Sequence, residues 1–148
     1  MTPPLAIVDT NVVVSGLITR DEAAAVCRIL DAMLAGGFPF LLSLPLLREY
    51  REVLLRRKIR RLHRLTEAEV DTLLEALVVH AVVRSPEAGG PPAPDPGDPH
   101  LWDLLHVEPS SVLVTGDRRL LAQPPPGRGV MDPRAFRELL PSLRGEGR

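Results

Sequence analysis

Residues 5–15 run Leu5-Ala6-Ile7-Val8-Asp9-Thr10-Asn11-Val12-Val13-Val14-Ser15, and the first five of them decide the fold. Four apolar residues ending on an acid, with no polar alternation, are the pattern of a short parallel strand whose two faces are both covered. Downstream, Thr19 and Glu22 have capping-box spacing, and Val26, Ile29, Leu30, Met33 and Leu34 recur at helical steps until Gly36 and Gly37. Phe38 to Ser43 reads as a second strand. Pro45 suits the first turn of a helix on which Leu46, Leu47, Tyr50, Val53 and Leu54 share a face. Thr66 and Glu69 repeat the capping-box spacing before Val70, Leu73, Leu74, Leu77 and Val78, and Val79 to Arg84 reads as a strand with His80 in the core.

Six prolines and three glycines crowd the fourteen residues from Pro86 to Pro99, which predicts a loop over about 86–97. Asp98 before Pro99 predicts a helix start, with Leu101, Leu104 and Leu105 as its buried face. Ser111 to Thr115 is the clearest strand of the second half, and a last helix is expected from about Asp132 to Leu140. Strands alternating with helices predict an α/β fold, a three-layer α/β/α sandwich around a central, mostly parallel sheet. Residues 1–148 are expected to form one domain with a frayed tail over about 142–148.

The composition agrees. With 148 residues, 45% hydrophobic and 25% charged, the chain has the size and mixture of a globular domain and not of a disordered one. The apolar stretch from Leu5 to Ile18 carries Asp9 and Asn11 and lacks a basic start, so it fits neither a signal peptide nor a membrane span, and a cytoplasmic location is expected. Cys27 stands alone, which excludes an internal disulfide and a cysteine zinc site. The formal net charge of −1 gives no global field toward nucleic acid or membrane, so any such attraction must be local.

In a parallel sheet, ligands bind outside the carboxyl ends of the strands, where Asp9 and Asp117 both follow apolar runs. Asp98 at its predicted helix start and Glu49 beside a buried helical stripe are expected at the same edge. At ~4 Å and an effective dielectric of ~20, each like-charged pair repels by roughly 4 kcal/mol. Either protons or a hard divalent cation must offset that, and oxygen-only ligands select Mg²⁺ or Mn²⁺ over zinc. Each acid taken singly also has an ordinary structural role: Asp98 as a helix cap, Glu49 as a helix-face charge, Asp117 as a turn residue. Asp9 is the exception, because an acid closing a buried apolar run is expensive without partners.

The string Asp9-Thr10-Asn11-Val12-Val13-Val14-Ser15 resembles the opening motif of PIN-domain ribonucleases. Ser43 to Leu54, with Glu49 at the acidic position, Asp95-Pro96-Gly97-Asp98 and Val114-Thr115-Gly116-Asp117 are similar to the three later motifs, and the likeness spans roughly Leu5 to Leu140. The resemblance is nearest to the branch described as toxins of toxin–antitoxin pairs. It implies a Mg²⁺- or Mn²⁺-dependent endoribonuclease in which Asp9, Glu49, Asp98 and Asp117 hold the metal, supported by Asn11, Ser15 and Thr115. It further implies an RNA substrate, a cognate antitoxin, a homodimer and no membrane. Arg48, Arg51, Arg118 and Arg119 are then candidate contacts to the RNA backbone. Arg119 departs from the pattern, standing where many relatives carry another acid, and motivates a second reading as an RNA-binding scaffold with weak catalysis. A haloacid-dehalogenase-like phosphohydrolase would also open on a strand ending in Asp, but it needs an acid where Asn11 stands.

Between Arg48 and Arg64, seven arginines and Lys58 face only Glu49 and Glu52, a local excess of six positive charges suited to phosphates. Tyr50 is the one aromatic there, so base stacking is not indicated. The four histidines show no metal-binding spacing, Trp102 reads as packing, and no phosphate-cradling glycine motif is present.

Overall fold

The structure, a computed structural model, describes residues 4–85, 99–124 and 129–140. Five strands, β1 (Ala6–Val8), β2 (Phe40–Leu42), β3 (Ala81–Val83), β4 (Val112–Val114) and β5 (Gly129–Met131), form one sheet in the order β3-β2-β1-β4-β5. Every neighbouring pair is parallel. All residues of β1 and β2 are buried, as strands covered on both faces require, whereas the edge strands β3 and β5 are partly exposed. The result is a three-layer α/β/α arrangement. β1 pairs with both β2 and β4, in register Ala6 opposite Phe40 and Ala6 opposite Val112, so the strand order reverses beside β1. The crevice at the carboxyl ends of β1 and β4 is therefore the switch point of the sheet.

Among the described residues, the eight helices are α1 (Thr10–Ile18), α2 (Ala25–Ala35), α3 (Leu44–Leu54), α4 (Arg57–His63), α5 (Glu67–His80), α6 (Pro99–Val107), α7 (Arg118–Ala122) and α8 (Pro133–Arg137). Several depart from the sequence expectation. The Thr19–Glu22 capping box does not form: Thr19 closes α1, its N–H bonding the Ser15 carbonyl, and α2 begins at Ala25 with no side-chain cap. A three-valine run has low helix propensity, yet Val12, Val13 and Val14 are helical because Asp9 caps the helix and the core buries all three. α5 continues through His80, which shortens the following strand and leaves His80 exposed instead of in the core. The last helix spans only Pro133–Arg137, capped by Asp132. The Thr66–Glu69 capping box forms as expected. The expected loop at 86–97, the Asp98 cap and the tail at 142–148 lie outside the described residues.

α1 lies unusually close to α2. A Cβ built on Gly16 would stand 2.6 Å from the Val26 carbonyl oxygen and 3.0 Å from Leu30 Cβ, so only glycine permits this approach. Gly36 ends α2 in the left-handed region, φ 73°, as a glycine can without strain. Trp102 packs in the core, as read from the sequence. Among the described residues, no helix is long and apolar enough to cross a membrane.

Gly16→Ala forces a methyl into the α1–α2 contact. It is expected to destabilise the fold by about 1–3 kcal/mol, the usual range for overpacking, read as a lower denaturant midpoint at unchanged slope.

Candidate active site

β1 ends at Val8, and the next residue, Asp9, leaves the sheet in extended backbone to cap α1. Its N–H still reaches the Val114 carbonyl at 2.9 Å, so the β1–β4 ladder extends to the acid itself. The side chain is only 6% exposed. Three donors face it: the Thr10 N–H on Oδ1 at 2.8 Å, and the Thr115 hydroxyl at 2.7 Å and Asn11 Nδ2 at 3.2 Å on Oδ2. These charge-assisted bonds compensate the removal of the carboxylate from water.

Thr115 directly follows β4 and is fully buried. Its hydroxyl donates to Asp9 while accepting from the Asp117 N–H at 3.0 Å and from Asn11 Nδ2 at 3.4 Å. One proton and two lone pairs are thereby all engaged. Asn11 Oδ1 in turn accepts the Gly116 N–H at 2.9 Å, fastening the turn after β4 to the first turn of α1. Asp117 caps α7 by accepting the Arg119 N–H at 2.9 Å, and its side chain stays 26% exposed toward the crevice.

The third acid arrives on α3. Ser43 caps that helix through the Leu46 N–H at 3.2 Å, Pro45 occupies its first turn, and Leu46, Tyr50 and Leu54 are its buried stripe. Glu49 flanks the stripe, half-buried, and accepts a hydrogen bond from the Thr10 hydroxyl. The adjoining Tyr50 is fully buried, and its hydroxyl donates to the Val8 carbonyl at 2.5 Å. Burial, then the nearby charges of Asp9 and Glu49, push the Tyr50 phenol well above its ordinary pKa.

Asp9, Glu49 and Asp117 thus line one cleft of about 700 Å³, together with Asn11, Ser15 and Arg48. Asp98 lies outside the described residues. Among those described, no group of three or more His, Cys, Asp and Glu side chains is arranged to hold a metal ion by itself. Arg118 and Arg119 are exposed on α7, next to Asp117 and outside the cleft lining. Arg51 points away to α5, where it pairs with Asp71 at 2.7 Å and Glu67 at 2.6 Å. These partners hold its guanidinium still more firmly protonated, and the Arg51 bond lowers the Asp71 carboxyl pKa.

Sequence reading did not single out Glu52 and Arg56, which also line the cleft. The signal was available: Glu52 is one helical turn after Glu49, and Arg56 follows Glu52 by four, 3.5 Å from it as a surface pair. Thr10 lies in the segment that opens with Asp9, but its bond to Glu49 depends on the packing of α1 on α3.

A family model described as PIN domain matches residues 6–119, a span that includes all four acids. No curated protein matches the chain.

Tyr50 is the only tyrosine, so its ionisation can be followed alone. Its folded pKa lies above the unfolded value, so its stabilising contribution is complete below about pH 10 and is lost as pH rises toward the folded value. Tyrosinate absorbance is expected only together with alkaline unfolding. Tyr50→Phe is expected to cost about 1–3 kcal/mol at neutral pH by leaving the Val8 carbonyl without this donor, and to flatten the alkaline loss.

Proposed function

The chain belongs to the PIN domain family, a nuclease fold, and we propose that it is a divalent-metal-dependent endoribonuclease of the cytoplasm, the toxin of a toxin–antitoxin pair. The observation that carries the nuclease reading is the convergence of Asp9, Glu49 and Asp117 on one cleft at the switch point of the sheet. The toxin role, an antitoxin that covers this cleft and a homodimeric state are supported by the motif resemblance.

The residues present fit a hard cation. The donors are all carboxylate oxygens, and Mg²⁺ binds through one or two carboxylates while keeping waters, so a preformed three-acid cage is not required. Asp9, Glu49 and Asp117 would hold Mg²⁺ or Mn²⁺, with Asp98 as the fourth acid. The ion supplies Lewis acidity toward the phosphodiester and lowers the pKa of water. The protein's part is orientation. Thr115 and Asn11 fix Asp9 at one rotamer, Thr10 holds Glu49, and Asp117 is set by its cap on α7. Arg48 on the cleft wall meets the charge of the RNA backbone, and Ser15 offers a hydroxyl to the same cleft. Arg118 and Arg119, on the outer side of Asp117, extend that contact. Arg51 is engaged on α5 and is the weakest of the four arginines for this role.

Cleavage of single-stranded RNA is expected with Mg²⁺ or Mn²⁺ and not with EDTA. Asp9→Asn, Glu49→Gln and Asp117→Asn should each lower kcat/KM by at least about 100-fold, roughly 3 kcal/mol. Activity unchanged in both aspartate variants would remove the metal mechanism. RNA binding without cleavage under any divalent metal would favour the scaffold reading, for which the exposed Arg119 at the acidic corner speaks.

Thr115→Val removes the donor to Asp9 and is expected to reduce metal affinity or activity about 10–100-fold, as for other residues that orient a ligand. Thr115→Ser keeps the hydroxyl and should restore most of it. Equal losses in both would show that shape, not the hydrogen bond, matters there.

A further inference from the structure

Beyond the acidic cleft, a second groove of about 530 Å³ is bordered by Arg57, Arg60, Arg61 and Arg64 together with Leu55 and Leu65. The four arginines follow i, i+3, i+4, i+7 spacing, which places them along one face of α4. Ile59 seats α4 against the core, whereas all four arginines are exposed, so packing does not account for their choice. Among the described residues these four guanidinium groups make no ion pair, in contrast to Arg51, Arg56 and Arg84.

Arg64 adds an independent observation. It closes α4 in the left-handed region, φ 62°, and is the one non-glycine residue described with positive φ. Glycine or asparagine would sit there with less strain, so retaining arginine favours a use for its side chain. The two clefts are continuous in the chain: Arg56 lines the acidic cleft, and its neighbours Leu55 and Arg57 line the basic groove.

We propose that the α4 groove binds the phosphate backbone of the same single-stranded RNA whose scissile bond enters the acidic cleft, making substrates that span both preferred over short ones. The proposal rests on the ribonuclease reading for the identity of the polymer. From Arg57 to Arg64 the chain rises roughly 10 Å along α4, enough for successive arginines to meet neighbouring phosphates of one strand. Guanidinium forks match phosphate oxygens bidentately, and no aromatic side chain lines the groove, so contact is to the backbone and not to bases. An acidic peptide would meet the same guanidinium forks, and the competition below distinguishes it from a phosphate backbone.

The test measures binding of a labelled oligouridylate, long enough to span both clefts, to the full chain in EDTA, where the proposed chemistry is silent. Neutralising two contacts with Arg60→Gln and Arg61→Gln should weaken binding roughly 25-fold at about 0.1 M salt and reduce the slope of log affinity against log salt by about 1.4. Arg64→Gly, which relieves the left-handed strain, should keep or raise the unfolding midpoint while weakening binding about fivefold. In metal, the paired variant should cleave the long RNA poorly and a dinucleotide as well as the unmodified chain does. Unchanged affinity and salt slope in the variants would overturn the proposal, as would an oligoglutamate competing better than unlabelled oligouridylate. Asp9→Asn separates the two readings: it should abolish cleavage and leave the variants' binding losses in place. Binding that depends on α4 in a chain that never cuts RNA would sink the ribonuclease reading and leave the groove standing.

Discussion

The hydrogen bond from Thr115 to Asp9 is the constraint around which the cleft is organised. Residues 106 apart in the chain meet because β1 and β4 are neighbours in register, Val8 beside Val114, so that each strand's next residue projects from the same edge. A buried carboxylate at the end of an apolar strand would otherwise be a several-kilocalorie liability. Here the sheet that creates the burial also delivers the donors. Asn11 extends the arrangement by bonding both to Asp9 and to the turn after β4, so the acid, the turn and the start of α1 form one hydrogen-bonded unit.

The opposite wall is attached more sparingly. α3 is tied to the end of β1 by Tyr50 on the Val8 carbonyl and to α1 by the Thr10–Glu49 contact. Both ties fall on consecutive residues of α3, one on its buried stripe and one beside it, so the orientation of Glu49 follows from the seating of Tyr50. The same helix turns arginines both ways: Arg48 toward the cleft, Arg51 toward its carboxylate partners on α5. That division separates a cation available to a ligand from one engaged in holding α3 to α5.

The central strands, the helix carrying Glu49 and the α5 capping box were legible because each rests on local pattern: unbroken apolar runs, a Ser-x-Pro start, a Thr-x-x-Glu cap. α1 was not legible, since three consecutive valines argue against a helix, and only the Asp9 cap and burial in the core outweigh that preference. Thr19 misled for a related reason: spacing alone cannot distinguish a threonine that opens one helix from one that closes another. His80 sat in an apolar run and was read as core, but at the last turn of α5 its ring lies over Gly36 near the surface. At the site, Asp9, Glu49 and Asp117 could be brought to one edge by topology. Glu52, Arg56 and the partners of Arg51 depend on how α3 is rotated, which the apolar stripe fixes only coarsely.

The contact at Gly16 bears on inheritance. Related chains can drift freely at exposed positions of α1, but a change here must be matched by retreat of α2, because the obstacle is a backbone carbonyl and not a side chain that can be trimmed. A glycine at this spot, next to the serine that lines the cleft, should therefore persist among descendants even after the chemistry of the acids has been lost.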